Sequence, residues 1–329
     1  MKGKMKYIIA AILLVAGLGI AFVGFAIGGF DIKRISTVPP YEQRMYMEEE
    51  TVNAIHLNDE NVRVVFSSST EDYVRVDYFE NKNETYAIEN VNGKLSITKE
   101  IKGRLGQTFF AIDFTTEDIR IVITVPESFR GDVFLKTSNS SVELSDLIAD
   151  NVRVDTSNGR INVKKTDVLG ILELSTSNAS IFTEQVAVSE SAVLHSSNGK
   201  ISVEHSDFFG EVVGITSNAG FNFKEVTAES YDLKTSNGKI SLQDVMAKEN
   251  ILLKTSNSSI EVTAVEVGES LMCTTSNGRI SGSVMGEMSD FSISSKTSNG
   301  NNNLPGETKD GEKIAEFKTS NANIEIIFE

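Results

Sequence analysis

An all-β parallel β-solenoid, or β-helix, is the fold this sequence predicts, on three observations. Near-identical Thr-Ser-Asn tripeptides recur about every 20 residues, placing asparagines at Asn139, Asn158, Asn178, Asn198, Asn218, Asn237, Asn257, Asn277, Asn299 and Asn321. A fixed period of that length marks a stack of units that bury their apolar faces only against one another. Apolar residues also hold fixed places around the tripeptide. Two residues before its first position stand Leu135, Val154, Leu174, Leu194, Leu233, Leu253, Cys273 and Phe317, interrupted by Gly214 and Ser295. Five residues after it stand Val142, Ile161, Ile181, Ile201, Phe221, Ile240, Ile260, Ile280 and Ile324, interrupted by Asn302. Finally, no segment within the period repeats at helical spacing, while Val, Ile, Thr, Ser and Asn dominate it. A leucine-rich repeat is excluded because its asparagine stands at different offsets from the flanking leucines.

The chain opens with a short tail, residues 1–6, that carries Lys2, Lys4 and Lys6. Residues 7–30 are then free of charge, long enough as a helix to cross a hydrocarbon core of about 30 Å. This predicts a retained transmembrane signal-anchor, since cleavable leaders have shorter apolar regions. The flanking lysines put the amino terminus in the cytoplasm and the repeats outside, making the chain a single-pass protein of the cell membrane. Residues 31–50, with Pro39, Pro40 and three consecutive glutamates, read as a polar stalk.

Residues 51–130 hold strand patterns without the clean repeat and are expected to cap the exposed end of the solenoid core. Within them the Asn92-Gly93-Lys94-Leu95-Ser96 run imitates the later corners, and Phe66, Tyr73, Tyr78, Tyr86, Phe109 and Phe110 are expected to plug the stack.

Residues 131–329 are the repeats, about ten rungs. Each is expected to run strand, tight corner at Asn-Gly, strand, then a looser return of about six residues such as 164–170. Alternation along the strand puts Val152, Val154, Thr156 and Asn158 on one inward face. Stacked asparagine amides would then form a ladder, each donating to the next carbonyl, as scaffold rather than ligand site. Glycine suits the corner because it tolerates positive φ.

A second pattern has a period of two rungs. Cations follow the asparagine at Arg160, Lys200, Lys239 and Arg279, with small residues on the rungs between. That spacing of about 10 Å relieves repulsion between stacked like charges. It also makes a candidate basic corner for an anionic polymer. The main candidate binding face is the hydroxyl column Ser157, Ser177, Ser197, Ser217, Ser236, Ser256 and Ser276. A parallel outward column runs through Glu143, Asn162, Phe182, Ser202, Asn222, Ser241 and Glu261.

Net charge is −15, and because the three leading lysines add +3, residues 7–329 carry −18. Such a surface excludes nucleic acid as a partner. Cys273, the single cysteine, stands in the inward column and reads as a buried small hydrophobe. His56, His195 and His205 are dispersed, and no metal-ligand, phosphate-loop or nucleophile motif is present, so neither a cofactor nor an enzymatic activity is expected. With no Trp, and Tyr231 the one Tyr in the rungs, stacking platforms for glycans are scarce. The last strand, with Ile324, Ile326 and Phe328, is expected to leave an open edge suited to self-association.

The amino-terminal apolar segment, the Val91 to Ile97 run and the Thr-Ser-Asn-Gly-Lys-Ile-Ser units together resemble the bacterial family of β-strand-repeat envelope proteins labelled putative adhesins, across residues 50–329. That resemblance implies an envelope protein of Gram-positive bacteria and supplies no catalytic residues. The expected function is a membrane-anchored, extracellular, non-catalytic adhesion or binding module, with a wall polymer, a glycan or an envelope protein as candidate partner. The alternative is a structural protein that polymerises through homotypic contact at its open carboxy-terminal rung.

Overall fold

The computed structural model describes residues 2–27, 29, 38–102 and 118–329. Phe109, Phe110 and residues 31–37 of the expected stalk lie outside them. The chain divides into two compact units. The first comprises Met1–Arg44, Phe79–Thr85 and Glu100–Ile119. It contains the helix Lys2–Ile27 and a small contact set in which Tyr41 Oη donates to a Glu84 carboxylate oxygen at 3.0 Å. Among the described residues no helix is long and apolar enough to cross a membrane. The transmembrane segment expected over residues 7–30 is therefore not supported.

The second unit is the all-β parallel solenoid, of about nine regular turns. Each turn contributes a short strand, such as Leu172–Thr176, to one parallel sheet and a long strand, such as Ile181–Val188, to another. Equivalent residues sit in register: Ile161 pairs with Ile181, Ile181 with Ile201 and Ile201 with Phe221. The two apolar columns read from the sequence face each other as the core, and Leu174, Leu194, Ile181 and Ile201 are all buried.

The corners are built differently from the expectation. Alternation stops at the Thr, because the next two amides turn together onto one carbonyl: Ser157 N and Asn158 N both donate to Ser138 O, at 3.1 and 2.7 Å. Asn158 is consequently exposed rather than inward, as are the other asparagines of its column. The buried polar residue is the Thr. Thr235 Oγ1 donates to Ala219 O at 2.8 Å and accepts from Gly238 N at 3.2 Å, stitching its own corner to the one below. Glycine is present for close approach, since none of the corner glycines has positive φ. A Cβ on Gly159, Gly199, Gly238 or Gly278 would stand 1.6–1.8 Å from the carbonyl oxygen of the preceding rung's corner.

Positive φ occurs elsewhere. Asp146, Lys165, Gln185, His205, Glu225, Asp244 and Ala264 take φ between 45° and 55° at the fifth place of successive long strands. This single left-handed residue bends the strand and shifts the inward phase by one, so that Thr166 and Val168 follow Ile161 and Val163 into the core. The loose return expected over 164–170 is thus mostly ordered strand. A left-handed non-glycine residue costs about 1–2 kcal/mol. Ala264→Gly should therefore raise the midpoint of thermal unfolding, by a stabilisation of about 0.5–1 kcal/mol once glycine's larger unfolded-state entropy is deducted. Ala247→Gly, in ordinary strand backbone, should lower it.

Chain order and stacking order part company at both ends. Ala54–Asn58 and Arg63–Ser69 form a regular rung within the region expected to be irregular, pairing in parallel with Asp132–Lys136 and Val142–Ala149. That rung is covered on its other side by residues from later in the chain, Lys94–Ile101 and Arg120–Pro126. Phe66 lies within the stack opposite Leu144 and is not an end plug. Asn92 and Gly93 have φ of 54° and 81° and make a tight hairpin turn, unlike the corners they imitate.

At the far end Lys313–Lys318 inserts between Ser270–Thr274 and Phe291–Lys296. The edge expected at Ile324, Ile326 and Phe328 is closed accordingly. Ile324 N donates to Asn301 O at 2.9 Å, and Ile326 N and O are both taken by the Asn303 side chain, at 3.0 and 2.8 Å. Ile324 and Ile326 are buried, and the Phe328 ring lies 5.1 Å from that of Phe291.

Candidate functional site

The outside of the solenoid offers three arrangements of polar groups. The first is the asparagine column. Asn158 Nδ2 donates to Asn139 Oδ1 at 2.7 Å, Asn178 to Asn158 at 2.6 Å, and the chain of amides continues through Asn198, Asn218, Asn237, Asn257 and Asn277. It begins one rung earlier than the tripeptides suggest, at Asn61, and ends in stacking order with Asn321 followed by Asn299. Asn61 lacks the flanking Thr-Ser, which is why the motif missed it. These amides are exposed, but their donors and acceptors are directed mainly along the stack.

Beside it runs the serine column. Ser157, Ser177, Ser217, Ser236 and Ser276 are exposed, while Ser197 and Ser256 are half-buried. Their backbone groups are used between rungs: Ser177 N donates to Ser157 O at 3.1 Å and Ser217 N to Ser197 O at 3.1 Å. The hydroxyls therefore stand as a regular outward row.

The cationic corner is less uniform than its spacing implies. Lys239 bonds the Glu261 carboxylate of the next rung, and Arg279 lies 3.5 Å from Glu325. Arg160 and Lys200 are exposed, and among the described residues no carboxylate is within ion-pairing distance of either. Their rows therefore offer two paired cations and two without a carboxylate partner, not a continuous basic track. Cys273 is fully buried, and burial pushes its thiol well above the usual range. Among the described residues no cluster of three or more His, Cys, Asp or Glu side chains has metal-binding geometry.

One feature is absent from the sequence reading because its parts lie far apart in the chain. On the outer face of the short-strand sheet the rings of His56 and Phe134 lie 4.5 Å apart, inclined at 42°. They floor a depression of about 500 Å³ rimmed by Lys94, Ser96, Asn58, Lys136, Arg153 and Asp155. The register explains the arrangement: His56 pairs with both Ser96 and Phe134, and Phe134 with Arg153. Burial holds the imidazole below its ordinary pKa, with Lys94 acting in the same direction and Asp132 opposing.

A family model for Toastrack DUF4097 matches residues 52–327, nearly the whole of the β region. The chain belongs to the Toastrack DUF4097 family. No curated protein matches it. Among solved structures this Toastrack chain is similar to one described as a putative adhesin from Parabacteroides merdae, at 13% identity and a TM-score of 0.36, over 87% of this chain and 96% of that one. It is also similar to a putative adhesin from Bacteroides fragilis, at 11% identity and a TM-score of 0.34, over 88% and 97% of the two chains. A third, described as a putative cell adhesion protein from Clostridium sporogenes, aligns at 12% identity and a TM-score of 0.22 over 89% and 100%.

Proposed function

We propose that this Toastrack protein is a non-catalytic adhesion or binding module of the bacterial cell envelope, its repeats displayed on the outer side. The observation that carries the reading is the regularity of the exterior: rung after rung presents the same serine hydroxyl in the same place, and the rungs keep that pattern without a local break where a reaction centre would sit. A periodic polar row suits a repetitive partner such as a wall polymer or glycan, because each rung adds a small, similar contact. The helix Lys2–Ile27 supports placement at the membrane surface, since Leu13, Leu14, Leu18, Ile20 and Phe22 are all exposed and apolar surface of that size calls for cover.

The test is a sedimentation assay of the full chain with isolated bacterial sacculi and membranes. We expect the protein to pellet with them, and the triple substitution of Ser197, Ser236 and Ser256 by arginine to weaken that binding about tenfold or more. Wild-type protein that stays in the supernatant with both preparations would overturn the reading. Polymerisation through the last rung is disfavoured, because residues 301–303 already occupy the edge it would use.

A further inference from the structure

The depression over His56 and Phe134 lies on the outer face of the sheet that Ala54–Asn58, Lys94–Ile101, Asp132–Lys136 and Val152–Asp155 build together. Four neighbouring strands each supply two or three outward side chains to it. The ring column runs Ser96, His56, Phe134, Arg153, and the column beside it runs Thr98, Asn58, Lys136, Asp155. Two half-buried rings side by side, inclined at 42°, thus present a shallow ring-lined floor edged by exposed and half-buried hydrogen-bonding groups.

The rim carries both donors and acceptors. Arg153 is held by two carboxylates, donating through Nε to Asp155 at 2.9 Å and lying 3.0 Å from Glu173, so its charge is already compensated. The Asn58 amide has one donor and one acceptor end, the Lys136 ammonium donates, and Asp155 keeps acceptor capacity beyond its bond to Arg153. Lys94 and Lys136 have no carboxylate at ion-pairing distance among the described residues, a two-charge patch too small to track a polyanion, and a large apolar side chain would find no enclosed pocket. A saturated ring with an apolar face and a hydroxylated edge matches both halves of the surface: its C–H face lies on the electron-rich ring faces, and its hydroxyls, each both donor and acceptor, meet the rim.

We propose that this depression is a carbohydrate subsite for a neutral pyranose ring, with His56 and Phe134 as stacking floor and Asn58, Lys136 and Asp155 as hydrogen-bonding rim. The assignment rests on the adhesion reading above and names the ligand class for it. Phe134 occurs in an outward place that other rungs fill with Arg153, Glu173 and Val193, so the platform is confined to one end of the face. The ligand is gripped there, and the serine rows meet the rest of the polymer.

The experiment is saturation-transfer NMR on the full chain, in a sulfobetaine detergent so that no glycosidic detergent competes, with the methyl pyranosides of glucose, galactose, mannose and N-acetylglucosamine. We expect transfer to at least one of the four. Phe134→Ala should weaken that glycoside about tenfold, the loss of one good aromatic contact. Phe134→Tyr, which keeps the ring, should bind within about threefold of wild type, and this separates a missing platform from a misfolded sheet. Phe209→Ala, at an exposed aromatic remote in sequence and 58% accessible, should change nothing. Transfer to none of the four, or transfer that survives both Phe134→Ala and His56→Ala, would overturn the subsite. Envelope sedimentation of the same variants keeps the two readings apart. Wild-type protein that pellets with sacculi but binds no glycoside removes the subsite and leaves adhesion standing, whereas failure to pellet removes adhesion itself.

Discussion

Gly199→Ala should destabilise the middle of the solenoid by about 3 kcal/mol or more, the upper range for forcing atoms into a close-packed site. An ideal Cβ there stands 1.6 Å from Ala179 O and 2.1 Å from Ala179 C, and both atoms belong to backbone that cannot swing aside. Relief requires the two corners to separate, which stretches the amide bridge from Asn198 Nδ2 to Asn178 Oδ1 and the bond from Ser196 Oγ to Ala179 O. Because each rung leans only on its neighbours, the loss should be local. Hydrogen exchange should show faster opening at the amides of Ile181, Ile201 and the flanking corners, while those near Ile260 keep their protection. Gly306→Ala is the control, since nothing lies within 4 Å of its Cβ position. Equal protection at Ile201 in both variants would mean that the close approach carries no stability.

The second large effect is a coupling. Gly214 occupies a place that is Leu in half of the rungs, and Phe221 a place that is usually Ile. A Cβ on Gly214 would lie 2.7 Å from Phe221 Cε1 and 2.6 Å from Leu233 Cδ2, so the ring fills the volume the missing leucine vacates. Restoring the column with Gly214→Leu alone should cost about 3 kcal/mol through overpacking. Phe221→Ile alone should cost about 2 kcal/mol through the cavity beside Gly214. Together they recreate the ordinary pair, and the double variant should come within about 1 kcal/mol of wild type, giving a coupling of several kcal/mol in a double-mutant cycle. Additive losses would show that the two sites do not share one space. The other interrupted place is matched in the same way, with polar groups in place of volume: Ser295 Oγ donates to Asn302 Oδ1 at 3.0 Å.

The period, the two inward columns and their facing arrangement were legible because apolar residues at fixed offsets leave few alternatives. The direction of the asparagines was not. Strict alternation, extended one residue past the Thr, gives an inward Asn158, and only the turning of two amides onto Ser138 O reveals that the strand has already ended. The left-handed residue was hidden for a similar reason: Asp146, Lys165, Gln185 and Ala264 share no side-chain type, so a stacked backbone conformation leaves no compositional trace. The exchanged order of the last rungs had left one. In chain order the residues after the asparagines run Gly278, Gly300, Ala322 and break the alternation of glycine with larger residues. In stacking order they run Gly278, Ala322, Gly300, and the alternation is kept, with the Cβ position of Gly300 only 2.0 Å from Ala322 O. The His56 and Phe134 pair could not be read at all, since residues 78 positions apart were assigned to different regions and only the parallel register joins them.

The alternation makes the heritable unit of this fold two rungs, about 40 residues, rather than one. Duplicating a single unit brings two like corners into contact, and one of them must take the backbone path that suits its opposite. Duplicating a pair preserves every corner contact, the spacing of the cations and both closed ends. Lineages carrying longer or shorter versions of this stack should therefore differ by even numbers of rungs, so that gene length changes in steps of about 120 bases while the terminal segments stay as they are.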